Sequence, residues 1–232
     1  MDKNSNLYTF IFAIIMVTII AGSLAFTATS LKPLQDKNVK AEKMQNILGT
    51  IGVTGVSREE AQGAFDTYIK EQLSLKADGT VDKEVNAFEI GLKNEIKKSE
   101  EDQRYPLYVA EKDGKKFYVV PLYGAGLWDA IWGYIALGAD KNTVVGANFG
   151  HKGETPGLGA EITTDWFQAQ FQGKKILDTA HNFVSVVTVK GGAKQGDLHG
   201  VDAISGGTIT SDGVSNMLQE RLAHYLPYFK NN

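Results

Sequence analysis

Leu107-Tyr108-Val109-Ala110 and Phe117-Tyr118-Val119-Val120, flanking Asp113-Gly114, decide how this chain folds. β-branched and aromatic residues crowd both runs, and Asp-Gly supplies the positive-φ pair that a tight hairpin turn needs. Two antiparallel strands are predicted there. Downstream, residues 144–149 and 183–189 are again rich in β-branched residues and read as strands. Upstream, Ser57-Arg58-Glu59-Glu60 fits a capping box, and Ala61, Ala64, Phe65, Tyr68, Ile69 and Leu73 follow at helical spacing. A second helical run is expected over residues 85–96, before a charged segment at 97–104 that reads as a solvated face or loop. Near the end, Ser211 or Asp212 would cap a helix striped by Val214, Met217, Leu218, Leu222 and Tyr225, with Arg221 at the stripe's edge and Pro227 as its stop. Strands and helices in separate runs, with no internal repeat, make the domain α+β.

Ahead of this domain lies residues 7–26, LYTFIFAIIMVTIIAGSLAF, with no charge between Lys3 and Lys32. Twenty helical residues reach roughly 30 Å, the thickness of a bilayer's hydrocarbon core. Eleven of the twenty are Leu, Ile, Phe or Val, so insertion gains at most about 3 to 7 kcal/mol. A cleaved signal peptide is the competing reading, with Ser23-Leu24-Ala25 as its cleavage site, but its apolar region would be shorter and its start more basic. The expected layout is a single transmembrane anchor at 1–30, a polar stalk at 31–56 and one domain at 57–232. Lysines 32, 37, 40 and 43 follow the anchor. Counted alone they place the domain in the cytoplasm, although long trailing domains are exported regardless of charge.

Of the 232 residues, 43% are hydrophobic and 22% charged, which fills a core and argues against disorder. A formal net charge of -3 offers no basic stripe, so nucleic acid is set aside as a partner. The chain has no cysteine, which excludes disulfides, thiolate metal sites and iron-sulfur clusters.

Three stretches carry candidate chemistry. In Asp202-Ala203-Ile204-Ser205-Gly206-Gly207-Thr208-Ile209-Thr210-Ser211, two glycines bracketed by hydroxyls read as a turn, or as a holder for a phosphate-sized group. Gly124-Ala125-Gly126-Leu127-Trp128 continues to Trp132, and its tryptophans either join the core or lie beside a planar ligand. His151-Lys152-Gly153-Glu154-Thr155-Pro156-Gly157-Leu158-Gly159 opens backbone amides at a Pro-Gly turn. His151 and Glu154 have no further ligand close by in sequence, so no metal site is expected. The spacing misses the dinucleotide and Walker patterns. Ser205 has His199 and Asp197 near it but lacks the glycine two residues before it that a nucleophile elbow needs, so no catalytic residue is expected.

Taken in order, the membrane helix, Gly126-Leu127-Trp128 with Gly133-Tyr134-Ile135-Ala136-Leu137, the Glu154–Gly159 motif and Asp202-x-x-Ser205-Gly206-Gly207-Thr208 resemble the C subunit, the covalent FMN-binding one, of the sodium-translocating NADH:quinone reductase. The resemblance spans almost the whole chain. It implies that a flavin transferase esterifies FMN to Thr208, with Asp202, Ser205, Gly206 and Gly207 completing the acceptor motif. Where this chain has Gly207, the family usually has alanine. The resemblance further implies ring contacts from Glu154, Thr155, Gly157, Leu158 and Trp128. It implies electron transfer within a larger complex in the bacterial inner membrane, a periplasmic flavin domain, and NADH, quinone and sodium sites in partner subunits. The equivalent subunit of the ferredoxin:NAD reductase complex shares two of these motifs, and a cofactor-free scaffold is the rival from another class.

Overall fold

The computed structural model describes residues 5–232, and the chain divides into two units, Met1–Lys43 and Met44–Asn232. Helix α1 (Asn6–Thr50) runs for 45 residues and contains a stretch of mean hydropathy 2.4, long and apolar enough to cross a membrane. Residues 31–50, expected as part of a stalk, continue the helix. They are more polar, but four Lys, three Leu and two Gln among them are good helix formers. Gly52 ends it at φ 73°. There Val53 N–H donates to Leu48 O at 3.1 Å and Gly52 N–H to Gly49 O at 3.0 Å, the paired bonds of a Schellman stop.

The second unit begins in the last turns of α1, where Ile47 and Leu48 are buried. Asn148 Nδ2 donates to Asn46 O at 2.6 Å. The capping box forms: Glu60 N–H donates to Ser57 Oγ at 3.3 Å, and Ser57 N–H to Glu60 Oε2 at 3.1 Å. The helix it starts, α2 (Ala61–Tyr68), is shorter than the periodicity predicts. Ile69 and Leu73 belong instead to β1 (Ile69–Leu75), because pairing with the next strand, Leu73 opposite Leu107 and Leu75 opposite Tyr105, satisfies the backbone and buries Leu75. Of the run at 85–96, only a 3-10 turn at Ala87–Glu89 and the single turn α3 (Leu92–Glu95) are helical. The charged segment beyond is mostly exposed, but Arg104 is fixed by Asp82, Nε to Oδ2 at 2.8 Å.

The predicted hairpin is β2 (Tyr105–Lys112) and β3 (Lys115–Ala125), with Asp113 at φ 52° and Gly114 at φ 71° in its turn. β4 (Ala130–Leu137) and β5 (Val144–His151) extend it, so that β1 to β5 form one antiparallel meander in sequence order. Shorter pieces follow: a 3-10 turn at Gly159–Thr163, α4 (Asp165–Ala169), and the parallel pair β6 (Val187–Val189) and β7 (Gly200–Asp202). Residues 183–186 stay outside the predicted strand, since Ser185 adopts φ 61°.

Helix α5 (Thr208–Ala223) starts three residues before the expected cap, so Ser211 and Asp212 lie inside it. Gly206 at φ 74° and Gly207 break the chain earlier than either polar residue could. Pro227 stands in the first turn of a further helix, α6 (Leu226–Asn231), where its missing N–H is not needed. The stripe Val214, Met217, Leu218 and Leu222 packs with Val120, Leu122, Ile131 and Ile135 in the main core. Arg221 is buried rather than at the edge. Close seating of α5 on β3 depends on Gly124, where a Cβ would stand 2.8 Å from Met217 Cβ.

Candidate functional site

Four hydroxyls surround Gly206-Gly207, and packing sorts them. Ser211 is buried, and its Oγ accepts Ile204 N–H at 3.0 Å. Thr210 is buried and donates to Glu154 Oε2 at 2.5 Å. Ser205 is exposed on the loop. Thr208 is half-buried at the first position of α5 and lines a cleft of about 510 Å³. Among the described residues no hydrogen bond occupies its hydroxyl. The first bond into the turn comes from Ser211 N–H to Gly207 O at 2.9 Å, and no side chain caps the end. The amides of Thr208, Ile209 and Thr210 therefore lack intrahelical partners at the positive end of a 16-residue helix.

Trp166, Lys190, Gly191, Gly192, Asp202 and Ile204 wall the cleft with Ser205, Gly206 and Thr208. Asp202 shapes it from behind: Oδ1 accepts Ala193 N–H at 2.7 Å, and its own N–H donates to Gln170 Oε1 at 2.8 Å. Trp166, 57% exposed, and Lys190 to Gly192 escaped the sequence reading. The doubled glycine at 191–192 was the available signal; a lone tryptophan after a helix cap carries none. At Gly207 a Cβ would stand 3.0 Å from Ile204 Cγ2 and 3.2 Å from Gly159 N, so an alanine there would press Ile204 and the 154–159 turn outward by a few tenths of an ångström.

That turn packs against Gly206 and Gly207 beside the cleft. Leu158 and Ala160 N–H both donate to Thr155 O at 3.1 Å, and Gly157 takes φ 75°. Leu158 lies over Gly206, where a Cβ would stand 2.7 Å from its Cδ2. Trp128 is 69% exposed, and its Nε1–H donates to Thr155 Oγ1 at 3.2 Å. The core reading therefore fails for Trp128. Trp132 is likewise at the surface, 36% exposed. Glu154 points inward and is buried. Burial opposes its charge, but hydrogen bonds from the Thr210 hydroxyl and the Trp128 and Asp129 amides outweigh that and hold the carboxyl below its ordinary pKa.

His151 Nδ1 accepts Glu154 N–H at 3.1 Å, and no group of three metal-ligating side chains occurs among the described residues. Asp197 Oδ1 accepts the backbone amides of His199 and Gly200, while His199 Nδ1 bonds Lys175 O at 2.7 Å. Among the described residues no hydrogen bond joins Ser205 to His199.

Residues 126–223 match the FMN-binding domain family. The C subunit of the Na+-translocating NADH-quinone reductase from Vibrio anguillarum is 30% identical, covering 93% of this chain and 90% of its own length. Its counterpart from Pseudomonas aeruginosa is 31% identical over 94% of this chain and 91% of its own. The crystal structure of the same subunit from Parabacteroides distasonis superposes with a TM-score of 0.80 at 40% identity, covering 87% of this chain and 98% of that one.

Proposed function

Because the chain belongs to the C-subunit family of the Na+-translocating NADH-quinone reductases, we propose that it is the flavoprotein subunit of such a complex, carrying electrons through FMN esterified to Thr208. The observation that carries this reading is that Thr208 alone, of the four hydroxyls, is both open to the cleft and set on the uncapped N-terminus of α5. Three free amides and the helix dipole suit the phosphate of a phosphoester there, and Gly206-Gly207 leave the approach clear. In maturation, Thr208 Oγ1 would displace AMP from FAD at the FMN phosphorus, with its proton passing to a base of a flavin transferase.

Bound FMN would supply the electron transfer itself. This chain's residues would bind and orient: Asp202 by holding the Lys190–Ala193 loop, and Thr155, Gly157, Leu158 and Trp128 by lining the ring. Residues 1–30 would anchor the protein in the bacterial inner membrane, a reading supported by the apolar length of α1. The flavin domain would lie on the periplasmic side, with NADH, quinone and sodium handled by partner subunits. Co-expression with a flavin transferase tests this. The wild-type band on a denaturing gel should fluoresce and Thr208→Ala should be dark; a dark wild type overturns the covalent reading, and a fluorescent variant moves the acceptor.

A further inference from the structure

One buried acid joins all three motifs that surround Thr208. Glu154 is 4% exposed; its Oε1 accepts Trp128 N–H at 3.0 Å and its Oε2 accepts the Thr210 hydroxyl at 2.5 Å. Two glycines make room for it. A Cβ on Gly126 would stand 2.5 Å from Oε1, and one on Gly159 would stand 2.5 Å from Oε2, closer than Cβ atoms come to such neighbours. Gly126 and Trp128, Glu154 and Gly159, and Thr210 thus converge on a single carboxylate from three separated stretches. A charged acceptor in a water-poor site binds such donors about twice as strongly as a neutral one. The same enclosure limits its role: Glu154 is buried and both carboxylate oxygens already accept hydrogen bonds.

We propose that Glu154 is a positioning residue, clamping Thr210 on α5 and the backbone of Trp128 so that the acceptor hydroxyl and the 154–159 turn keep one arrangement. Thr208 precedes Thr210 by two residues on the same turn, so any rotation of that turn swings the Thr208 hydroxyl relative to Leu158. What is positioned rests on the FMN reading; the clamp is a property of the chain without flavin.

The full-length chain in detergent, made with and without a flavin transferase, tests this in wild type, Glu154→Ala, Thr210→Val, Thr210→Ser and Thr208→Ala. Without the transferase, amide hydrogen exchange at Trp128 and residues 155–159 should be about tenfold faster in Glu154→Ala and Thr210→Val. Thr210→Ser and Thr208→Ala should exchange at the wild-type rate. With the transferase, Thr210→Val should shift the flavin's midpoint potential and visible spectrum, and Thr210→Ser should restore both. Wild-type exchange, potential and spectrum in Thr210→Val would overturn the clamp. If Glu154→Ala unfolds by circular dichroism, Thr210→Val decides on the same readouts. A wild-type chain that shows the exchange differences but no covalent flavin keeps the clamp and discards the FMN reading.

Discussion

The meander from β2 to β5 and the segment at 152–207 satisfy their backbone polar groups by different means. In the meander each strand pairs with its neighbour in sequence, and the ladder bonds satisfy both. In the later segment, outside the short β6–β7 pair, side chains add bonds of their own: Asp202 holds Ala193, Gln170 holds Asp202, Thr164 caps Phe167, and Asp178 holds Ala180 and Asn182. A ladder leaves no room for a cleft. Loops held at single polar points do, and the wall facing Thr208 is built from them.

Substitutions in each region separate the two modes. The largest stability effect is expected in the sheet: Ile135→Ala empties a fully buried position on β4 and should cost about 3 kcal/mol in urea unfolding. Flavin loading of the molecules that remain folded should be unchanged. Asp202→Ala should do the reverse, costing about 1 to 2 kcal/mol by orphaning Ala193 N–H. Its main effect should be lower in-gel flavin fluorescence at unaltered circular dichroism; loss of the fold instead would place Asp202 with the sheet. Gly114→Ala should cost only about 1 kcal/mol, because it strains one φ of 71° at an open hairpin tip.

The smallest difference lies in acid. Burial raises the pKa of Asp140 in the β4–β5 turn, but the Thr143 hydroxyl and the Thr143 and Asn142 amides outweigh it and leave the carboxyl below its ordinary value. Glu154 is shifted the same way across the site. In both cases the unfolded chain takes up its proton first as pH falls. Their contributions are complete above the ordinary carboxylate range and fade as pH drops through the lower folded values. Asp140→Asn should therefore flatten the acid limb of a plot of melting temperature against pH without affecting flavin loading.

Local chemistry explains what could be read in advance. Asp113-Gly114 marked its hairpin and Ser57–Glu60 its capping box because both depend on residues within a few positions. Ile69 and Leu73 misled, since their helical spacing lost to pairing with a strand more than thirty residues on. Ser211 misled as a cap because two glycines upstream had already started the helix.

The order of residues alone established an apolar N-terminal helix, an α+β domain and a short segment of hydroxyls and glycines near its end. Resemblance singled out Thr208 as the acceptor and Glu154 as a ring contact, while the local pattern by itself left the burial of four hydroxyls and two tryptophans open. Packing sorted them by burial. Thr210 is taken by a carboxylate 56 residues away, Trp128 stands outside, and Thr208 is left open beside Trp166. Burial depends on which distant segments meet, and that is settled by the seating of α5 on the sheet, which no local pattern encodes.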